Sequence, residues 1–537
     1  MAKAKLSGPI LSQRERKSKS LIKEEENPND NDNGEILQTN NTLKTSIPQE
    51  ELIRFLGRFA IEHLSSSRII QLGCLSFIIL QAYVKFNEIE KPTDQELNLL
   101  ISASCGLIAF LSAIYISFKV KSNSNIKYGL KAPVTLPPWN SIYLIFIPSI
   151  LAYALDKNLL LYNIAFASTV LELPYIGQIL TQTALISSNS ETNDVLFNVK
   201  ASTIHLAINF FLRQITQLKS LDRVEVNLFS ILLSDLYLIK SQSLYVIILQ
   251  KLFIAFGVGC GVTFTFTILI PQNNIYRTLL ILITWATSFI YTTLYQLNDI
   301  LGENSIKWIV EFATVTPTRQ NILIVWFGSL LLLIPTIFNY KVKLSPNFRR
   351  KIWHFLILGL IVYPLHIDPE FVKVALSGSL ILFLLVEQLR FLRLAPFGDF
   401  LDSNLRIFAD FRDERGPIIF SYIYLFIGIS IPILFENSVV GLVALGVGDS
   451  LASIVGSNFG LLYWSGSKKT IEGTLTFIVT SYGVCALLKI LGWFFNDKSF
   501  HSLLLTCVLS GILEGNSDLN DNILIPAYME ALLFFLD

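Results

Sequence analysis

The chain has 537 residues, of which 52% are hydrophobic and only 15% charged, and its mean hydropathy is +0.53. Soluble domains carry about 25% charged residues, so the composition excludes a water-soluble globular protein and points to lipid. A net charge of +1 gives no basis for a polyanion-binding surface, and no nucleic-acid partner is expected.

The first 60 residues are of a different material from the rest. QRERKSKSLIKEEENPNDNDNGE is polar, first basic and then acidic, and too poor in apolar groups to build a core. It contains no signal-peptide core, so an uncleaved, disordered tail is expected, with the first apolar run acting as membrane-targeting signal.

Apolar runs then recur near 69–86, 98–118, 141–155, 159–186, 201–213, 227–239, 245–271 and 277–296. Each is read against the roughly 20 residues that a spanning helix needs. A basic, proline-containing loop, KVKSNSNIKYGLKAPVTLPPW, interrupts them at 120–139. Polar residues are scattered here and no motif is visible, so 61–340 reads as a multi-helix membrane scaffold. The five cysteines lie far apart without CxxC spacing and read as small hydrophobes.

Further runs lie near 321–339, 352–365, 372–389, 418–435, 439–458, 474–494, 501–513 and 523–536. The fold class is therefore all-α, a polytopic transmembrane helical protein with about 14–16 membrane segments. From residue 341 onward polar residues cluster in loops, which marks 341–537 as a candidate catalytic membrane domain. If each run from 352 onward crosses once, loops 341–351, 390–417, 459–473 and 514–522 share one side. They hold twelve Lys and Arg, whereas the opposite loops hold only Lys498. The positive-inside rule places the first set in the cytosol. Clusters far apart in sequence thus converge on one membrane face, which a shared active site requires and a packing scaffold does not.

Five clusters carry the chemistry. In NFRRKIWHF, Arg350 and Lys351 precede His354 by four and three residues, so all share one helix face. That suits an anionic phosphate or headgroup, or else a positive-inside anchor followed by an amphipathic His. In FADFRDERGPIIF, Asp410 and Asp413 are three apart and can hold a divalent cation, or one can accept a hydroxyl proton. The bland alternative is a solvated loop of weak ion pairs that Gly416-Pro417 closes, with Pro417 starting the next helix.

GLVALGVGDSLASIVGSNFG carries Asp449 within an apolar run, at roughly 2.5–3.5 kcal/mol for a carboxylate at mid-bilayer. Gly441, Ala444, Gly448, Ala452 and Gly456 form one small-residue stripe, which lets helices approach closely. Asp449 lies beside the stripe and faces a neighbouring helix or cavity. Alternatively the helix breaks at Gly446–Gly448 and Asp449 caps a restarted one. SGSKKTIEGTLT places Lys468, Lys469, Thr470, Glu472, Gly473 and Thr474 before an apolar helix, either a polyphosphate cradle or a short capped turn. LEGNSDLNDNILIP adds Glu514, Asp518, Asp521 and Asn522, metal or ribose ligands or a plain hydrophilic turn.

Taken together, RKIWHF, DFRDERGP, GVGDSLASIVG, KKTIEGT and the terminal E…DN…P resemble the dolichol kinase family, over about 345–526 in motif order and spacing. The resemblance implies a multi-pass endoplasmic reticulum enzyme that moves the γ-phosphate of CTP to the hydroxyl of dolichol. The products are dolichyl phosphate, the lipid carrier for protein glycosylation, and CDP. It implies CTP binding around 459–474 by Gly460, Lys468, Lys469, Thr470, Glu472, Gly473 and Thr474. Asp413 or Asp449 would be the general base. A divalent cation, Mg²⁺ by its affinity for phosphate, would be held among Asp410, Asp413, Asp449 and Asp521. Ser450 stands where the family carries threonine, and Arg415 interrupts the acidic loop. The alternatives are a CTP-dependent phosphatidate cytidylyltransferase, a diacylglycerol kinase, or a non-enzymatic membrane transporter. Oligomeric state is left open.

Overall fold

An apolar segment in lipid can pair all of its own backbone groups only as a helix. The computed structural model describes residues 65–87, 138–155, 159–189, 194–217, 221–240, 243–270, 273–340, 343, 345–409, 413 and 416–536. Among these the secondary structure is α-helical throughout, apart from short 3₁₀ and π segments and a single bridge between Tyr463 and Thr470. The polar tail 1–60, the run 98–118 and most of the loop 120–139 lie outside the described residues, as do Asp410 and Arg415.

The first six helices are α1 (Ser66–Asn87), α2 (Tyr143–Leu155), α3 (Leu159–Ala167), α4 (Tyr175–Asn189), α5 (Val195–Gln217) and α6 (Arg223–Leu238). A middle group follows: α7 (Leu244–Leu269), α8 (Ile275–Leu301), α9 (Ser305–Thr314) and α10 (Pro317–Tyr340). The last group is α11 (Pro346–Ile367), α12 (Pro369–Phe391), α13 (Phe397–Leu405), α14 (Ser421–Glu436), α15 (Ser450–Phe459), α16 (Ile471–Ile490), α17 (Phe500–Asn516) and α18 (Asp521–Phe535).

Among the described residues eight helices are long and apolar enough to cross a membrane, and three shorter apolar helices accompany them. The run 98–118 lies outside the described residues, and several of the other hydropathy runs form shorter helices. The run 159–186 is divided at Pro174, so α3 and α4 are separate short helices. Runs 501–513 and 523–536 become α17 and α18, of 17 and 15 residues and largely buried against protein. At 1.5 Å per residue such helices fall short of the roughly 30 Å hydrocarbon core.

A single core joins both halves of the chain. Cys74, Tyr143 and Phe229 belong to the same buried cluster as Ile429, Val443 and Tyr528. The α3–α6 bundle, which lacks any sequence motif, is stitched by buried polar contacts instead. His205 lies between Thr169 and Ser234, 3.2 Å from each, with its ring stacked on Phe166. Of the cysteines, Cys74, Cys260, Cys485 and Cys507 are described and free.

The segment Leu442–Asp449 is completely buried and packs against α11, α14, α16 and α18. It is π-helical and runs directly into α15, so of the two readings of this stretch the continuous helix holds and the alternative break at Gly446–Gly448 does not occur. Asp449 accordingly makes no side-chain cap. The glycines admit neighbours rather than ending the helix. A Cβ on Gly448 would lie 2.4 Å from Ser481 Oγ and 2.7 Å from Phe477. The wide π turn, a device common at functional sites, carries Asp449 at its end.

The loop between α12 and α14 is tied down from α12. Arg390, 1% exposed, pairs with Glu387 at 2.5 Å and also bonds Asp402 and the carbonyl of Pro417. Glu387 in turn accepts from the Ile419 amide at 2.7 Å and from Tyr422. Pro417 therefore does not start a helix; α14 begins at Ser421. Removing one partner of a buried pair leaves an uncompensated charge, so Arg390→Met is expected to destabilise by about 3–5 kcal/mol. Thermal denaturation in detergent checks this, and an unchanged midpoint would contradict it.

Asp402 gives a pH-dependent prediction. Burial raises its pKa, but Arg390 and Arg406 outweigh that and hold it below the ordinary carboxylate value. A depressed folded-state pKa stabilises above the unfolded value near 3.8 and loses that contribution as pH falls through the lower folded value. Hydrogen exchange in 397–409 is expected to accelerate below that point, and Asp402→Asn to remove the pH dependence.

Candidate active site

Residues from all five motif clusters line one cavity of about 800 Å³. α11 contributes Arg350, Lys351 and His354, and the loop before α14 contributes Asp413. Asp449 and Gly456 come from the central helix, Lys468, Lys469, Thr470 and Gly473 from the approach to α16, and Glu514 and Asp521 from the α17–α18 junction. Gly460, Glu472 and Thr474 are not part of its lining.

Asp449 is 3% exposed and its Oδ2 accepts from Lys351 Nζ, 98 positions earlier. His354, 7% exposed, donates from Nδ1 to the Arg350 carbonyl at 3.2 Å, a bond within its own helix turn. Its Nε2 lies 3.9 Å from Asp449 Oδ2 and has no hydrogen-bond partner among the described residues. The expected shared face of Arg350, Lys351 and His354 thus turns toward an acid.

Asp413, 3% exposed, is occupied differently. Its Oδ1 accepts from the Phe420 amide at 2.9 Å and its Oδ2 from the Ser421 amide at 3.3 Å. Helix starts leave such amides without intrahelical partners, and Asp413 serves that need for α14 from seven residues away. It lines the cavity, but not in the acid cluster around Asp449.

The KKTIEGT stretch divides its labour. Thr470 caps α16 by accepting from the Gly473 amide at 3.2 Å. Glu472 accepts from the amides of Leu461 and Leu462 at 3.1 Å and clips the preceding strand-like segment. Thr474 accepts from Trp464 Nε1 at 2.9 Å. Gly460 is where the chain passes closest to Thr470: a Cβ would lie 2.5 Å from Thr470 Cγ2 and 2.3 Å from the Gly456 carbonyl. These contacts shape the turn and leave Lys468 and Lys469 as its cations at the cavity.

Asp449, Glu514 and Asp521 each offer a carboxylate oxygen within 4.8 Å of the others, the one such metal-capable group among the described residues. Glu514 joins Asp449 and Asp521 in this set; its only sequence signal was a place in an acidic loop on an otherwise basic face. Lys469 Nζ reaches Glu514 Oε1 at 2.5 Å, the Glu514 carbonyl at 2.9 Å and Asp521 Oδ2 at 3.3 Å. Burial pushes the Glu514 carboxyl above its ordinary range against the opposing pull of Lys469. Burial works to lower the Lys469 pKa, but Glu514 and Asp521 hold it above its ordinary value. An all-oxygen trio suits a hard divalent cation.

Apolar side chains from three helices also line the cavity, alongside Glu225 and the hydroxyls of Ser379, Tyr422 and Tyr424. They include Leu330, Ile334 and Phe338 of α10, Trp353 and Ile357 of α11, and Leu382 and Phe383 of α12. α10 is largely exposed along Ile324, Phe327, Leu331 and Leu332. Fold and cavity together define a polytopic helical membrane protein with a cavity lined by a cluster of charged side chains and by apolar ones.

A family model, dolichol kinase N-terminal domain, matches residues 19–240. The dolichol kinase of Saccharomyces cerevisiae is 39% identical over 412 residues, 75% of this chain and 78% of that protein. Dolichol kinase sec59 of Schizosaccharomyces pombe is 39% identical over 201 residues, 36% of this chain and 40% of its own. The human dolichol kinase is 30% identical over 286 residues, 47% of this chain and 53% of its own. No solved structure matches. The chain belongs to the dolichol kinase family.

Proposed function

We propose that this protein transfers the γ-phosphate of CTP to the hydroxyl of dolichol, giving dolichyl phosphate and CDP. The observation that carries the reading is one cavity lined both by a cluster of lysines and carboxylates and by apolar side chains of α10–α12. Phosphoryl transfer needs charge neutralisation and in-line positioning more than covalent chemistry. Lys468 and Lys469 are the cations for the triphosphate. Arg350 and Lys351 face it from α11, and the lipid packs against the apolar side chains of α10–α12. Asp449, paired with Lys351 and grouped with Glu514 and Asp521, accepts the hydroxyl proton in this reading; Asp413 holds α14 in place.

Asp449, Glu514 and Asp521 would hold a divalent cation, Mg²⁺ by its preference for carboxylate and phosphate oxygens. When bound it supplies charge neutralisation of the phosphate oxygens. Lys469 now neutralises two of these carboxylates, and Lys351 the third.

The orientation follows from the charge bias of the loops, with the site facing the cytosol, where CTP is available. α1 runs parallel to α18: Gln71 meets the start of the α17–α18 junction, Cys74 meets Tyr528, and Lys85 meets the carbonyl of Phe534. The N-terminal end of α1 therefore shares the site's face. An endoplasmic reticulum location and a role in supplying the carrier for protein glycosylation accord with this reading.

The test is purified protein, dolichol and CTP labelled at the γ-phosphate. Label is expected in the lipid. Label entering only from the α-phosphate would instead identify a cytidylyltransferase, and preferential labelling of diacylglycerol in competition would identify a different lipid kinase. No transfer to any lipid, with substrate flux across vesicles, would favour a transporter.

A further inference from the structure

The groups that hold the α17–α18 junction come from the N-terminal part of the chain. The carbonyl of Asn516 stands at the end of α17, where helix carbonyls have no intrahelical donor. Ser67 Oγ and Gln71 Nε2 both donate to it, each at 2.6 Å, from one face of α1. Gln71 is 2% exposed and every hydrogen-bonding direction of its amide oxygen is used. That oxygen accepts from Tyr143 OH at 2.7 Å and from Trp139 Nε1 at 3.0 Å. Glu514 lies two residues before Asn516 and Asp521 five after it.

We infer that Gln71 is a positioning residue for the reaction: it sets the Glu514 and Asp521 carboxylates by fixing the Asn516 carbonyl. Ser67 is its second anchor, and Tyr143 and Trp139 orient its amide. This gives the N-terminal helices a task at the site, although none of these residues lines the cavity. The inference rests on the reading of Glu514 and Asp521 as parts of the active site. A buried amide with both ends engaged cannot rotate without leaving a polar group unpaired, which costs about 1–3 kcal/mol. The junction is therefore held in one geometry. The apolar lining residues named above lie on α10–α12, so lipid binding is expected to be independent of this network.

The experiment compares full-length wild type with Gln71→Leu, Ser67→Ala and Tyr143→Phe in detergent or vesicles. Thermal denaturation establishes folding. Gln71→Leu is expected to lower kcat between about ten- and a hundredfold, the scale of a roughly 1 Å misplacement. Its KM for dolichol is expected to stay within about twofold, since α10–α12 are untouched. Mn²⁺ alone, followed by electron paramagnetic resonance without nucleotide, is expected to bind the variant more weakly than wild type. A folded Gln71→Leu with wild-type kcat overturns the inference, as does a loss that falls on the dolichol KM instead. Should Gln71→Leu fail to insert, Ser67→Ala and Tyr143→Phe each remove a single bond, and full kcat in both overturns it. If wild type transfers no γ-label at all, the proposed reaction fails while the Mn²⁺ comparison still decides the positioning claim. Equal Mn²⁺ affinity in wild type and Gln71→Leu then counts against it.

Discussion

Asp449→Asn is expected to abolish phosphoryl transfer, by at least about a thousandfold, while the protein still inserts and folds. The substitution preserves shape and removes only charge and basicity. It would take away the proposed acceptor of the lipid hydroxyl's proton, a contribution of about 10²–10⁴ in rate, and one carboxylate of the trio. It also leaves the Lys351 ammonium buried without its partner. Lost stability and lost chemistry are separable, because a neutral replacement of a whole buried pair is often tolerated. The double variant Lys351→Met with Asp449→Asn should recover thermal stability relative to the single variant and remain inactive. Label transfer from γ-labelled CTP, alongside denaturation midpoints, reads both quantities. Near-normal turnover in Asp449→Asn would remove Asp449 from the mechanism.

Lys469→Met carries the second large effect, with opposite signs in two measurements. Lys469 bonds carboxylate oxygens of Glu514 and Asp521, two of the three residues that would hold a divalent cation. Removing the lysine removes a competitor, so Mn²⁺ should bind about tenfold more tightly. Transfer should nevertheless fall by about 10²–10³, the scale for losing a preorganised group that stabilises developing charge. Arginine is not a conservative replacement, since its planar fork does not fit a point-charge site. The same substitution at Lys468, which is exposed, should chiefly raise the KM for nucleotide. Weaker Mn²⁺ binding in Lys469→Met would show that these carboxylates are not the cation's ligands.

Much of the site was legible before the fold. Lys351, His354, Asp449, Lys468, Lys469 and Asp521 were each marked by a charge or imidazole in or beside an apolar run, and all line one cavity. Charge in such a setting is expensive, so its presence signals use or pairing. The roles inside each motif were less legible. Asp413 looks like a candidate base in DFRDERGP, yet its oxygens serve two backbone amides of α14. Glu472 and Thr474 look like parts of a phosphate cradle, yet both bond within the turn and adjoining segment. Hydrogen bonding to the backbone is decided by local geometry that residue type does not encode. Glycines left two readings open: Gly446–Gly448 allowed a break, and close packing against Ser481 and Phe477 produced a continuous π turn instead.

The sequence by itself determined a polytopic all-helical membrane protein and the family to which it belongs. It also determined the handful of charged residues around which a site forms. Hydropathy and charge are additive along a chain, and lipid punishes the alternatives, so these readings need no coordinates. Only the tertiary structure decided the partnerships: Lys351 with Asp449, Lys469 with Glu514 and Asp521, and Gln71 with the Asn516 carbonyl. These contacts span from 45 to 445 positions. They arise from how helix faces pack, and in a chain with so few charges each such pairing is set by which buried groups must be satisfied together.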